Sequence, residues 1–185
     1  PMVRAILDGT KTQTRRVATG AALDWLSGPS GFNAEFVALP ENGLCPYGQP
    51  GDRLWVKEQT LKVEDHGWVG PVYTESDAGR YALAWGYGES DDPDHIPPHA
   101  IKRRPSIFMT RAMCRITLEV TGVRVEQLQD ISEADAKDEG ITTPCYPDEG
   151  GASYALAYRF LWDSINGPGA WERNPFVWCV SFRRV

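Results

Sequence analysis

Arg115-Ile116-Thr117-Leu118-Glu119-Val120-Thr121-Gly122-Val123-Arg124-Val125-Glu126 decides the fold class. Ile116, Leu118 and Val120 alternate with Arg115, Thr117, Glu119 and Thr121, the period-two pattern of a half-buried strand. Gly122 interrupts the pattern, and Val123 and Val125 resume it with shifted phase, as a β-bulge requires. Downstream, Leu128-Gln129-Asp130-Ile131 leads into Ser132-Glu133-Ala134-Asp135, an N-cap followed by acidic first-turn residues. The helix it opens is expected to run from 133 to about 139 and to stop at Gly140. Glu139 then lies in the last turn, where the helix dipole disfavours a carboxylate. Either a lysine or arginine partners it, or it is solvated. Over 153–166, Tyr154, Ala157, Tyr158, Leu161, Trp162 and Ile165 recur at helical spacing, and these aromatics read as core. Phe176-Val177-Trp178-Cys179-Val180-Ser181-Phe182 is the closing strand.

Upstream, Glu35-Phe36-Val37-Ala38-Leu39 reads as a strand. The turn at Gly51-Asp52 enters Arg53-Leu54-Trp55-Val56-Lys57-Glu58, a strand with Leu54, Val56 and Glu58 on one face and Arg53, Trp55 and Lys57 on the other. Glu58, at its end, is an ordinary strand-end carboxylate or a site residue. Residues 63–106 read as an insertion rich in Gly, Pro, Asp and aromatics, with strand-like runs at Pro71-Val72-Tyr73 and Tyr81-Ala82-Leu83-Ala84-Trp85. Segments of this length are commonly lids or binding loops, or else disordered. Short strands, a bulge and few helices together predict an α+β chain: a small, partly open β-barrel with helices at its ends. One domain over 1–185 is expected, with the insertion at about 63–106.

The densest polar chemistry is Gly9-Thr10-Lys11-Thr12-Gln13-Thr14-Arg15-Arg16, eight residues without an apolar side chain. A short helix over 1–8, stopped by Gly9, precedes it. Thr10, Thr12 and Thr14 alternate as in a strand. A lysine whose ammonium is partly desolvated is a base, and a nearby threonine hydroxyl is then a nucleophile without any histidine. A solvated polar strand is the other reading of the same residues.

A net charge of −6 opposes a general nucleic-acid-binding role, because such affinity comes largely from phosphate neutralisation. Arg15-Arg16, Lys102-Arg103-Arg104, Arg111 with Arg115, and Arg183-Arg184 are local basic clusters within the acidic average. Cys45, Cys114, Cys145 and Cys179 are far apart and form no C-x-x-C pair, so free thiols in a reducing cytosol are expected. His95 and His99 flank Pro97-Pro98 and cannot form a helical metal pair. No metal and no cofactor is expected. No apolar run approaches the roughly 20 residues that span a bilayer. The expected location is cytoplasmic, with no membrane partner. The sequence starts at Pro1, so a removed initiator Met or a few further upstream residues are expected.

The order of these elements resembles the ASCH family, whose members have a PUA-like barrel. Ala5 to Arg16, Gly51 to Glu58, Val120 to Leu128, Ile131 to Ile141 and Asn174-Pro175-Phe176-Val177-Trp178 carry the resemblance. They cover both ends of the chain and not the insertion, which has no counterpart in the compact members. The first barrel strand that normally precedes the opening helix has no match here. The subgroup with a Trp-rich C-terminal end resembles proteins of phages and prophages.

The resemblance implies one of two functions. Some compact bacterial members are amidohydrolases that remove the acyl group from N4-acetylcytidine and related N4-acylated cytosine compounds. The lysine, threonine and glutamate proposed to be catalytic there match Lys11, Thr14 and Glu139. Lys11 is then expected to take the proton of Thr14, with Glu139 orienting Lys11 and a neighbouring backbone N–H or a basic side chain such as Arg15 stabilising the oxyanion; a variant in which Thr14 only positions a water stays open. Lys11 and Thr14 point to opposite faces of an ideal strand, so this scheme needs a bulge or turn between them. Trp55, by stacking, and Glu58, by bonding an amino group, are the expected cytosine contacts. The alternative is a non-catalytic PUA-like module that binds RNA. A third possibility, a phage-related protein that contacts another protein, would use the aromatic insertion as its surface.

Overall fold

The computed structural model describes residues 2–29, 31–146 and 151–185. In chain order its elements are α1 (Met2–Leu7), β1 (Gln13–Val17), α2 (Ala21–Ser27), α3 (Ala34–Val37), β2 (Arg53–Trp55), β3 (Thr60–Lys62), β4 (Val72–Tyr73), α4 (Asp77–Trp85), β5 (Lys102–Arg104), β6 (Thr117–Gln127), α5 (Glu133–Asp138), α6 (Tyr154–Asn166) and β7 (Phe176–Arg184). Two compact units result, one from Pro1–Leu54 with Leu118–Val185 and one from Trp55–Thr117. The insertion expected over 63–106 lies inside the second unit, which begins and ends further out.

In the first unit the sheet order is β1-β7-β6-β2, and β7 pairs antiparallel with both β1 and β6. This sheet curls into a half-barrel. The bulge expected at Gly122 is present: the β6–β7 register shifts between Val120 and Gly122, leaving Thr121 as the extra residue. Alternation along β7 serves two cores. Val177 and Cys179 face Leu128, Ile131, Ala136, Tyr158 and Trp162, while Trp178 and Val180 face Ala18, Ala22, Val37 and Val120. A strand covered on both faces explains the unbroken apolar run of the sequence.

α5 begins with a complete capping box. The Ser132 hydroxyl accepts from Asp135 N at 3.0 Å, and the Asp135 carboxylate accepts from Ser132 N at 3.3 Å. Glu139 is the C-cap, and Gly140 follows at φ +91°, a conformation that favours glycine. Ser153 caps α6, whose buried Tyr158 and Trp162 lie one turn apart.

The second unit has a three-stranded sheet of order β4-β3-β5 and its own core of Leu61, Val63, Val72, Ala82 and Ile96. Two strand expectations are corrected here. In the first unit, residues 35–37 of the expected strand belong to helix α3, because the Asn33 side chain accepts from Phe36 N at 2.7 Å and caps it. Residues 81–85 end helix α4, which Ser76 caps through Gly79 N. Gly79 is no helix breaker here: a Cβ at that position would lie 2.0 Å from the Tyr73 carbonyl oxygen, so only glycine permits the close approach of helix and strand. The short strand expected near Val72-Tyr73 is β4. All four cysteines are free thiols. No helix among the described residues is long and apolar enough to cross a membrane.

Candidate functional site

The end of α5 and the lead-in to β1 are tied together by the backbone. Thr12 N donates to the Asp138 carbonyl at 2.8 Å, and Lys11 forms an isolated antiparallel bridge with Glu139. Period-two alternation from there puts Lys11, Gln13 and Arg15 on one buried face, and Thr12, Thr14 and Arg16 on the other.

Lys11 Nζ donates to Glu139 Oε2 at 2.6 Å and to the Glu139 carbonyl at 2.9 Å. Their side chains are 5% and 2% exposed, so the pair is held out of water. Burial pushes the Lys11 ammonium below its ordinary range, against the opposing pull of Glu139. The other carboxylate oxygen, Glu139 Oε1, accepts from Arg15 Nη1 at 3.3 Å. Arg15 also reaches Gln13 Oε1 at 2.7 Å through Nη1, and Glu126 Oε1 at 3.0 and 2.6 Å through Nε and Nη2. Arg124 bonds Glu126 Oε2 at 2.9 Å and Asp135 Oδ1 at 2.7 Å. Three cations, Lys11, Arg15 and Arg124, thus balance three carboxylates, Glu126, Asp135 and Glu139. Burial works against the Arg15 charge, but the hydrogen bond and charge of Glu126, with the charge of Glu139, outweigh it and hold the guanidinium firmly protonated. Burial likewise opposes the Asp135 charge. The Ser132 and Arg124 hydrogen bonds outweigh it and hold the carboxyl at about 2.

One side of this network opens on a pocket of about 320 Å³, lined by Arg15, Arg16, Glu139, Tyr158, Trp162 and Asn166 among others. Ligand pockets run from about 300 Å³ upward, so the space is large enough for a small molecule. The Arg15 guanidinium lies 5.9 Å from the Tyr158 ring centroid. Burial, with Glu139 nearby, pushes the Tyr158 hydroxyl well above its ordinary range, which keeps it a neutral donor.

The structure therefore joins Lys11, Glu139 and Arg15 directly. Arg15, expected to meet an oxyanion, has its donors directed at Gln13, Glu126 and Glu139, so it fixes the carboxylate. Thr14 is on the opposite face of β1, half-buried, and its hydroxyl accepts from Arg16 Nη1 at 2.9 Å. No bulge turns it towards Lys11: Gln13 and Thr14 keep regular register with Ser181 and Val180. Trp55 and Glu58 belong to the second unit. Arg115 donates to Glu58 Oε2 at 2.9 Å and Oε1 at 2.7 Å, so that carboxylate, 2% exposed, is already paired. Trp55 is flanked by Lys57 Nζ at 5.0 Å and the Arg111 guanidinium at 5.6 Å from its ring centroid.

Several members of the site went unnoticed in the sequence. Arg124 and Glu126 are two apart on one strand face with opposite charge, which is a readable signal. Gln13, Asp135, Tyr158 and Trp162 had explanations as strand, cap and core residues. No group of three or more His, Cys, Asp or Glu among the described residues is placed to hold a metal ion. No protein-family model matches the chain, and neither the curated proteins nor the solved structures contain a match to it.

Proposed function

We propose that this chain is an ASCH-like, PUA-like amidohydrolase that cleaves the acyl amide of N4-acylated cytosine nucleosides. The observation that carries the reading is the buried Lys11–Glu139 pair, 2.6 Å long, whose Glu139 lines a pocket of nucleoside size while Lys11 stands behind it. A carboxylate bound to an ammonium is a base and an acid side by side. Glu139 takes a proton from a water molecule, whose oxygen attacks the acyl carbonyl. As the carbon–N4 bond breaks, Glu139 passes that proton to N4, and the Lys11 ammonium behind it stabilises the carboxylate that is regenerated. The products are a carboxylic acid and the free cytosine amine. Arg15 holds Glu139, and Arg16, which lines the pocket, is the donor available to the developing oxyanion. In this scheme Thr14 positions Arg16 and is not the nucleophile.

The test is release of cytidine from N4-acetylcytidine, followed by absorbance, in wild type, Lys11→Met, Glu139→Gln and Thr14→Ala. The reading requires turnover that Lys11→Met and Glu139→Gln abolish and that Thr14→Ala lowers about tenfold or less. Complete loss in Thr14→Ala with trapping of an acyl-enzyme in wild type restores threonine as the nucleophile. No turnover in wild type overturns the amidohydrolase. One observation favours a second reading, RNA binding: Trp55 is flanked by two cations, Lys57 and Arg111. Salt-sensitive shifting of tRNA without hydrolysis is its signature.

A further inference from the structure

Tyr158, on α6, is 3% exposed and lines the pocket with Arg15, Arg16 and Glu139. The same three charged side chains lie close enough to act on its hydroxyl, so the polar end of the ring is the end at the pocket. A buried tyrosine hydroxyl ordinarily finds a hydrogen-bond partner. This one has none among the described residues. Two buried side-chain atoms among them are both unpaired and closed off from the surface, Thr60 Oγ1 and the Trp162 indole nitrogen. The Tyr158 hydroxyl is not one of these: it is unpaired and open, and the opening is the pocket. Both Glu139 oxygens are already engaged, Oε2 by Lys11 at 2.6 Å and Oε1 by Arg15 at 3.3 Å. The ring is held by packing. Trp162 lies 6.1 Å and Trp171 6.4 Å away, centroid to centroid, with the Arg15 guanidinium 5.9 Å from the ring centre. Phenylalanine would pack in the same way, so the core does not account for the hydroxyl.

We infer that Tyr158 is a further catalytic residue, whose hydroxyl donates to the acyl carbonyl oxygen of the bound amide and, with Arg16, holds the charge that oxygen gains when water adds. The inference rests on the N4-acylcytosine reading and completes its oxyanion site. Glu139 activates the attacking water, so the carbonyl under attack lies beside that carboxylate, where the Tyr158 hydroxyl also is. Burial and the Glu139 charge keep the hydroxyl neutral, so it remains a donor throughout. No proton is transferred from it. The ring is already fixed, and only the O–H has to rotate onto its acceptor, which is the preorganisation an oxyanion site needs. A hydrogen bond to an oxyanion is stronger than one to the ground-state carbonyl, so the contact lowers the barrier more than it aids binding.

The experiment uses the full chain as wild type, as Tyr158→Phe, and with Tyr158 replaced by 3-fluorotyrosine, which keeps the hydroxyl. Three quantities are read: kcat and KM for N4-acetylcytidine, the Kd of cytidine, which lacks the acyl oxygen, and amide exchange along β7. In Tyr158→Phe, kcat is expected to fall about 100- to 1000-fold, with KM and the cytidine Kd within about threefold of wild type. Exchange along β7 is expected to stay the same or slow, because the hydroxyl removed has no partner in the free protein. The fluorotyrosine protein is expected to keep kcat within about tenfold, and a loss as large as that in Tyr158→Phe overturns the inference. A kcat within about threefold of wild type in Tyr158→Phe also overturns it and leaves the hydrolase reading standing. So does a rise in KM and cytidine Kd at constant kcat, which puts the hydroxyl on the base. Faster β7 exchange in Tyr158→Phe shows that the hydroxyl has a partner within the protein, and the inference falls on that result too. If wild type hydrolyses no N4-acyl cytosine compound, the reading falls and takes the inference with it.

Discussion

Replacing Lys11 by methionine keeps the methylene stem and removes the ammonium, which leaves the Glu139 carboxylate 2% exposed with its 2.6 Å partner gone. Breaking a buried pair from one side costs about 3–5 kcal/mol. Arg15 still reaches Glu139 Oε1 at 3.3 Å, so the lower end, about 3 kcal/mol, is expected. Glu139→Gln strands Lys11 instead, but burial already favours its neutral form, so about 2 kcal/mol is expected. With both changes no uncompensated charge remains on either side, and the total is about 3 kcal/mol where independent sites give about 5. The coupling is therefore about 2 kcal/mol. Amide exchange at Val177–Val180, the centre of the doubly covered β7, reports the opening free energy of this unit by itself. A Lys11→Met cost under about 1 kcal/mol, or costs that simply add, would falsify the claim that the pair acts as one buried unit.

Three further outcomes follow from the same geometry. Asp135 is held at about 2 against 3.8 unfolded, so its contribution is complete above pH 3.8 and is lost as the pH falls towards 2. Acid titration of β7 amide exchange should show about 1–2 kcal/mol disappearing in that window after solvent screening, and Asp135→Asn should remove that component. Gly140→Ala places a Cβ at φ +91°, 3.1 Å from Ala5 Cβ and 3.2 Å from Lys11 Cβ. It should lower stability by about 1–2 kcal/mol and reduce turnover by displacing Lys11, whereas a fully active, stable variant contradicts the packing. Arg115→Met isolates Glu58 in the second unit and should cost about 2–3 kcal/mol, read from exchange at Leu61, with Glu58→Gln restoring part of it.

Much of the local structure was legible because its signals are local. The capping box at Ser132, the glycine stop at Gly140, the bulge at Gly122 and the α6 periodicity each occupy a few residues. Glu139 declared its need for a basic partner by lying at the wrong helix end, and Lys11 and Arg15 supply it. Glu35-Phe36-Val37-Ala38-Leu39 misled because its apolar content outweighed the Asn33 cap just before it. At α4 the glycine within the first turn masked the Ser76 signal, because its reason, contact with the Tyr73 carbonyl, is tertiary. The ion network was hidden for a related reason. Arg15 and Glu126 are 111 residues apart, and only the pairing of β1 and β6 with β7 between them brings the two together. Trp162 carries the same helical spacing whether its edge meets core or cavity.

The chain leaves the first unit at Leu54 on β2 and re-enters it at Leu118 on β6, and these two strands are neighbours in one sheet. Departure and return are therefore adjacent, and Lys11, Arg15, Glu126, Asp135, Glu139 and Trp162 all come from the flanking segments. The middle of the gene is thus a cassette, replaceable by a hairpin turn of about two to five residues without moving the ends it joins. A chain in which such a turn replaces 55–117 is expected to keep the Lys11–Glu139 and Arg15–Glu126 pairs, whose residues all lie outside the segment removed.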